Sequence, residues 1–119
     1  MPKLNFKGAR IVTAAALSVP LLANANISCS GPITYLGSDS NGLVYTATGT
    51  GINAICNVVT QGSFHASPQA CKLFYASLLA SQMAGKSATV FYDDPSLTQC
   101  SQITAWTTQF SAYFVTSGS

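Results

Sequence analysis

The sequence predicts a small β-rich α+β domain that is held together by two disulfides. Three observations lead to this fold class. The chain has only 119 residues and contains four cysteines. One segment has helical periodicity with a start signal and a stop signal. The segments on either side are short and rich in β-branched and aromatic residues, as strands are.

The first 25 residues predict a secretory signal peptide. Three basic residues lie within the first ten positions, an apolar run follows over 11–23, and Ala23-Asn24-Ala25 provides a small-x-small cleavage site. The apolar run is shorter than the ~20 residues that a membrane-spanning helix needs. We therefore expect an exported domain of residues 26–119, secreted or periplasmic, without a membrane anchor.

Removing the leader reverses the charge of the chain. The whole chain carries a formal net charge of +2, whereas residues 26–119 hold Lys72 and Lys86 against Asp39, Asp93 and Asp94, which leaves −1. A domain with so few basic residues neutralises few phosphates, so nucleic acid is excluded as a partner. It also lacks the polybasic patch that binds anionic lipid.

The four cysteines of the predicted domain are interpreted as disulfide partners. They are Cys29, Cys56, Cys71 and Cys100. An even number in a short exported chain is typical of a disulfide framework. Zinc sites use cysteines two to four residues apart, and the nearest pair here is much wider. We expect no metal and no cofactor, while three pairings of the cysteines remain open.

The helix is the element with the strongest local signals. Ser67 is a good N-cap, and Pro68 follows at the first helical position, where its missing N–H costs nothing. Gly85 is suited to the C′ position. Between these signals, apolar residues recur at helical spacing, namely Ala70, Cys71, Phe74, Leu78 and Leu79. The pattern predicts a helix over residues 68–84.

The remaining segments predict about five strands in the order β-β-β-α-β-β. The expected strands cover residues 32–36, 43–48, 52–59 and 88–92, with one or two more within 103–115. This order suits a small OB-like barrel or half-barrel with the helix closing one end. In that topology the first strand pairs antiparallel with the fourth. The topology therefore favours the nested pairing Cys29–Cys100 and Cys56–Cys71.

Residues 70–86, followed by Ala88-Thr89-Val90-Phe91-Tyr92, resemble a known helix-then-strand segment. The resemblance is to pertussis-like and subtilase-type toxin B subunits, and to short exported bacterial proteins of unassigned function, over roughly residues 52–106. It implies an oligosaccharide-binding barrel that assembles as a homo-oligomeric ring on cell-surface glycans. The cysteine spacing departs from that of the subtilase-type subunit, and no sugar-contacting serine of the toxins matches a position here.

The candidate catalytic residues favour a protein that is not an enzyme. His65 is the only histidine, and no G-x-S-x-G motif accompanies it. Asp93 and Asp94 precede Pro95-Ser96, which is typical of a turn. Because neighbouring strand residues point to opposite faces, the two carboxylates are not expected to converge on a metal or a substrate. Three carboxylates in the domain are too few for a calcium cage.

The aromatic residues are the best candidates for a binding surface. Tyr and Trp combine a flat apolar face with a polar tip, which suits sugars and protein partners alike. We predict ligand binding by Tyr35, Tyr45, Tyr92 and Trp106. The alternative is that phenylalanines fill the core and the tyrosines only border it. The sequence thus predicts a non-catalytic module for cell-surface glycans, or else an inhibitor or interaction protein that docks on a protein partner.

Overall fold

A computed structural model describes residues 26–118, which form a small β-rich domain with six strands and one α-helix. The predicted signal peptide lies outside the described residues. The elements in chain order are β1 (Asn26–Ser38), β2 (Leu43–Thr48), β3 (Asn53–Asn57), α1 (Pro68–Met83), β4 (Ser87–Asp93), a 3₁₀ turn (Cys100–Gln102), β5 (Thr107–Thr108) and β6 (Ala112–Ser117).

All six strands belong to one open sheet with the order β5-β3-β2-β1-β4-β6. Neighbouring strands are antiparallel, except that β3 and β5 run parallel. The two edge strands, β5 and β6, follow each other in the chain. The segment between them contacts the strand next to each edge: the Gln109 N–H donates to the Ala54 carbonyl of β3 (2.9 Å), and the Asp93 N–H of β4 donates to the Ser111 carbonyl (3.0 Å).

Strand β1 is the longest element of the sheet and pairs with two partners. Its first half, residues 26–32, is antiparallel to β4, and its second half, from Ile33, is antiparallel to β2. The pairing with β4 agrees with the predicted topology. The predicted strand began at Pro32, however, and missed the first half. Residues 26–30 alternate between polar and apolar side chains but contain only one β-branched residue, Ile27, so strand propensity did not mark them, and the main-chain bonds to β4 hold them extended.

The helix confirms its predicted start and ends one residue earlier than expected. The Ser67 hydroxyl accepts the Ala70 N–H (3.1 Å), and Gly85 adopts a left-handed φ of 70° beyond the end. Cys71, Leu78 and Ser81 form its buried face. Leu79 was expected on that face but is 37% exposed. Leu79 follows directly after Leu78 and points about a quarter of a turn away from it.

The core lies between the sheet and α1 and is bounded by both disulfides. Its largest aliphatic members are Ile33, Val44, Ile55, Leu78, Val90, Leu97 and Ile103. Cys29 of β1 is bonded to Cys100 in the 3₁₀ turn, and Cys56 of β3 is bonded to Cys71 in the first turn of α1. This is the nested pairing that the barrel topology favours. Across residues 26–118, no helix has the length and apolar character needed to cross a membrane.

Candidate functional site

Three of the four predicted aromatic residues meet on one surface. Tyr35 comes from β1, Tyr45 from β2, and Trp106 from the residue before β5. The Trp106 ring lies 5.7 Å from that of Tyr35 and 5.8 Å from that of Tyr45, measured between centroids, with interplanar angles of 80° and 63°. Both contacts are edge-to-face, the geometry that aromatic quadrupoles favour. We call these three residues the aromatic triad.

The register of β1 and β2 brings the two tyrosines together. Tyr35 is opposite Ala47 and Gly37 is opposite Tyr45, so Tyr35 and Tyr45 are diagonal neighbours on one face of the sheet. A Cβ atom on Gly37 would lie 3.5 Å from the Tyr35 ring. The Tyr35 ring therefore covers the glycine, in the space where a side chain opposite Tyr45 would otherwise stand.

Trp106 is presented to solvent by an unusual backbone conformation. Its side chain is 63% exposed. Its φ of 64° is in the left-handed region, where no other non-glycine residue of the segment 26–118 lies. A bulky residue in this region costs roughly 1–2 kcal/mol, so neighbouring contacts must hold it there. The Trp106 N–H donates to the Ile52 carbonyl, and the Thr107 hydroxyl donates to the Thr104 carbonyl (2.8 Å).

Gly51 supports the Trp106 turn by direct backbone contact. Its N–H donates to the Ile103 carbonyl (2.8 Å). A Cβ atom at this position would lie 2.5 Å from the Ala105 nitrogen and 2.6 Å from the Thr104 carbonyl carbon. Real Cβ atoms do not approach backbone this closely. Only glycine therefore allows the turn that carries Trp106 to pack against residue 51.

Behind the triad, Asn53 connects the core to the Gly51 turn. The Asn53 side chain is fully buried, and its amide donates to the carbonyls of Gly51 (3.0 Å) and Thr46 (3.3 Å) and to the Thr50 hydroxyl (3.2 Å). Its carbonyl oxygen accepts the Tyr92 hydroxyl (3.1 Å). A fully satisfied buried network of this kind makes the surrounding backbone rigid.

Tyr92 is a core residue, which corrects its predicted place on the ligand surface. Its side chain is 0% exposed. Burial raises the pKa of the phenol to about 12. The ring is inaccessible to a ligand. The contribution of Tyr92 to the triad is indirect, because its hydroxyl holds Asn53 and Asn53 holds the Gly51 turn.

The other candidates have ordinary structural surroundings. The Asp94 carboxylate accepts the N–H and the hydroxyl of Ser96 (2.9 and 2.7 Å), and these two bonds lower its pKa. This agrees with the predicted turn. His65 is exposed, and its backbone N–H donates to the Phe110 carbonyl. Within residues 26–118, no three side chains of the metal-binding types are grouped together.

Sequence reasoning missed a second aromatic cluster on β4 and β6. The Phe91 ring lies 5.2 Å from Phe114 and 6.3 Å from Tyr113, between centroids. Phe114 is 49% exposed and Phe110 is 47% exposed, so these phenylalanines do not fill the core as the alternative interpretation assumed. The signal that could have found the cluster is the pairing of Phe91 with Phe114, which requires the register of β4 and β6.

Comparison with known proteins adds no relative, since no family model, curated protein or solved structure matches this chain. The resemblance to toxin B subunits stays a prediction from the sequence.

Proposed function

We propose that this protein is an exported, non-catalytic module that binds a glycan against Trp106, with Tyr35 and Tyr45 at the edges of the contact. One observation carries the proposal: an indole with most of its surface exposed is held on a left-handed backbone. Strained backbone tends to occur at functional sites, because the surrounding structure must be arranged to maintain it. Solvent exposure of a large apolar ring has no benefit for folding.

The chemistry of the triad suits a sugar. The apolar C–H face of a pyranose can stack on the flat Trp106 ring, while the tyrosine hydroxyls offer hydrogen bonds at its rim. The three side chains are uncharged, so binding does not require a charged sugar. The contacts that fix the Trp106 turn mean that little side-chain or loop freedom is lost on binding, which favours affinity.

We infer further that the sheet closes as an OB-type barrel. Support comes from the last part of the chain: β5 pairs with β3, and β6 pairs with β4. Closure of a barrel must join the β3 side of the sheet to the β4 side. Barrels of this type bind oligosaccharides on the face of strands 2 and 3 and with the connection between strands 4 and 5. Tyr45 lies on β2, and Trp106 lies at the end of the connection after β4.

Export to the periplasm or the medium is part of the proposal. It rests on the leader-like residues 1–25 and on two disulfides in a small domain, which are typical of oxidising compartments. The homo-oligomeric ring rests on the resemblance to toxin B subunits alone.

A glycan array tests the proposal when it is read with two variants. The oxidised protein should give reproducible sugar signals, and Trp106→Ala should weaken them by about 30-fold, the effect of losing one dominant aromatic contact of ~2 kcal/mol. Phe114→Ala is the matched control, because it removes an exposed aromatic ring from the other cluster. The solution mass of the same sample reports the oligomeric state. A blank array, or equal loss in both variants, would refute glycan binding by the triad.

A second candidate function is docking on a protein partner as an inhibitor or interaction protein. The observation that favours it is the exposure of apolar side chains on α1, with Leu73 at 69% and Met83 at 80%. In this case a specific partner co-purifies, Leu73→Asp releases it, and Trp106→Ala does not. The two variants thus separate the two functions.

A further inference from the structure

We propose that a second binding site, independent of the triad, takes a small carboxylate with a short apolar tail. The site is a cleft of about 270 Å³ between α1 and the sheet, lined by Ser38, Val44, Val58, Lys72 and Tyr75. Its volume is just below the ~300 Å³ at which small-ligand pockets begin, so the ligand must be small.

The lining of the cleft combines apolar and polar residues. Val44 and Val58 are apolar, while Lys72, Tyr75 and Ser38 carry an ammonium group and two hydroxyls. Ser38 and Lys72 are exposed and Tyr75 is partly exposed. They are therefore available to a ligand that accepts hydrogen bonds, as a carboxylate does from lysine and from hydroxyl donors.

The charge around the cleft also favours an anion. Lys72 is one of only two basic residues after position 25. The first turn of α1, one turn before Lys72, contains no acidic residue, so the positive end of the helix dipole is not compensated there. Asp39, which follows the lining residue Ser38, keeps its negative charge, and one of its carboxylate oxygens accepts the N–H groups of Asn41 and Leu43 (2.9 and 3.0 Å) in its own turn.

This cleft and the triad lie on opposite faces of the sheet. Val44 lines the cleft, and its neighbour Tyr45 belongs to the triad. Consecutive residues of a strand point to opposite faces. The same holds on β1, where Ser38 lines the cleft and its neighbour Gly37 lies under the Tyr35 ring of the triad. Ligands at the two sites therefore cannot contact each other, and one site can fail while the other is intact.

Hexanoate and its neutral analogue hexanamide are the probes that test the site. The oxidised, ¹⁵N-labelled protein is titrated with each and followed by amide chemical shifts. We expect hexanoate to saturate with shifts confined to residues around the cleft, and hexanamide to bind at least about tenfold more weakly, because it lacks the charge-assisted bond to Lys72.

Two lysine variants complete the experiment. Lys72→Gln should weaken hexanoate binding by about tenfold, whereas Lys86→Gln removes the same charge outside the cleft and should leave it unchanged. Retained amide dispersion shows that each variant is folded. The proposal is overturned if hexanoate does not saturate, if hexanamide binds equally well, or if both variants lose binding to the same extent. A blank glycan array would not affect it.

Discussion

Replacing Gly51 by alanine tests whether this glycine positions Trp106. The new Cβ atom would lie 2.5 Å from the Ala105 nitrogen, and ordinary contact begins at 3.4 Å, so the turn must retreat by about 0.9 Å. The retreat stretches the Gly51–Ile103 and Trp106–Ile52 backbone hydrogen bonds. Overpacking against fixed atoms typically costs ~1–3 kcal/mol, and we expect a loss of unfolding free energy in that range.

Fluorescence is the natural assay, because Trp106 is the only tryptophan of the chain. In Gly51→Ala we expect a shifted emission maximum and altered acrylamide quenching in the native state, together with a lower urea midpoint. Gly85→Ala is the matched control: its φ of 70° penalises alanine, but nothing lies within 4 Å of the added Cβ. It should lose stability with Trp106 unchanged. Wild-type quenching and stability in Gly51→Ala would refute the reasoning.

Three further predictions concern the pH dependence, the helix start and a disulfide. The pKa of Tyr92 is raised from 10.0 to about 12 in the folded state, so its contribution to the free energy of unfolding is fully present below pH 10 and is lost, by ~2–3 kcal/mol, as the pH rises towards 12. Tyr92→Phe should remove this pH dependence from urea titrations. Ser67→Ala removes the N-cap acceptor and should cost ~1 kcal/mol, measured by thermal unfolding, with Ser63→Ala, outside the cap, as the neutral comparison. Replacing Cys29 and Cys100 together by serine opens a loop with a sequence separation of 71 and should cost roughly 4 kcal/mol, so a variant of unchanged denaturant midpoint would contradict the chain-entropy argument.

The parts of the fold that local chemistry determines were predictable from the sequence. The helix carries its own signals in Ser67, Pro68 and Gly85, and β2 is found at its predicted bounds, Leu43–Thr48. The first half of β1 was missed, because it has few residues of high strand propensity and its pairing with β4 lies about 60 residues further along the chain. The pairings of β5 with β3 and of β6 with β4 join segments that are distant in the chain, and local patterns do not encode them.

The candidate site shows the same division. Residue type alone pointed to Tyr35, Tyr45 and Trp106. Their proximity depends on the β1–β2 register and on the hydrogen bond from the Trp106 N–H to the Ile52 carbonyl, which are tertiary features. Tyr92 was misplaced for a physical reason. Hydrophobicity alone places Phe91 inside and Tyr92 outside, whereas the alternation of β4 puts Tyr92 on the buried face with Val90, where Asn53 accepts its hydroxyl.

The role of Gly51 could not be predicted from the sequence. Gly49-Thr50-Gly51 is typical of a turn, and nothing local indicates that its last residue touches Ala105. Close approach between two backbones is a tertiary contact, and a glycine signals it only once the fold is known.

The nested disulfides impose an order on oxidative folding. Because the chain is synthesised from its N-terminus, Cys29 and Cys56 become accessible before the other two cysteines, and they are not native partners. Cys71 then supplies the partner for Cys56 after a short delay, whereas Cys29 must wait for Cys100, near the end of the chain. An oxidant that acts before synthesis is finished joins Cys29 to Cys56, and thiol–disulfide exchange must then replace this bond by the native pairs. The yield of native protein should therefore depend on access to a disulfide isomerase or to a thiol buffer that permits reshuffling.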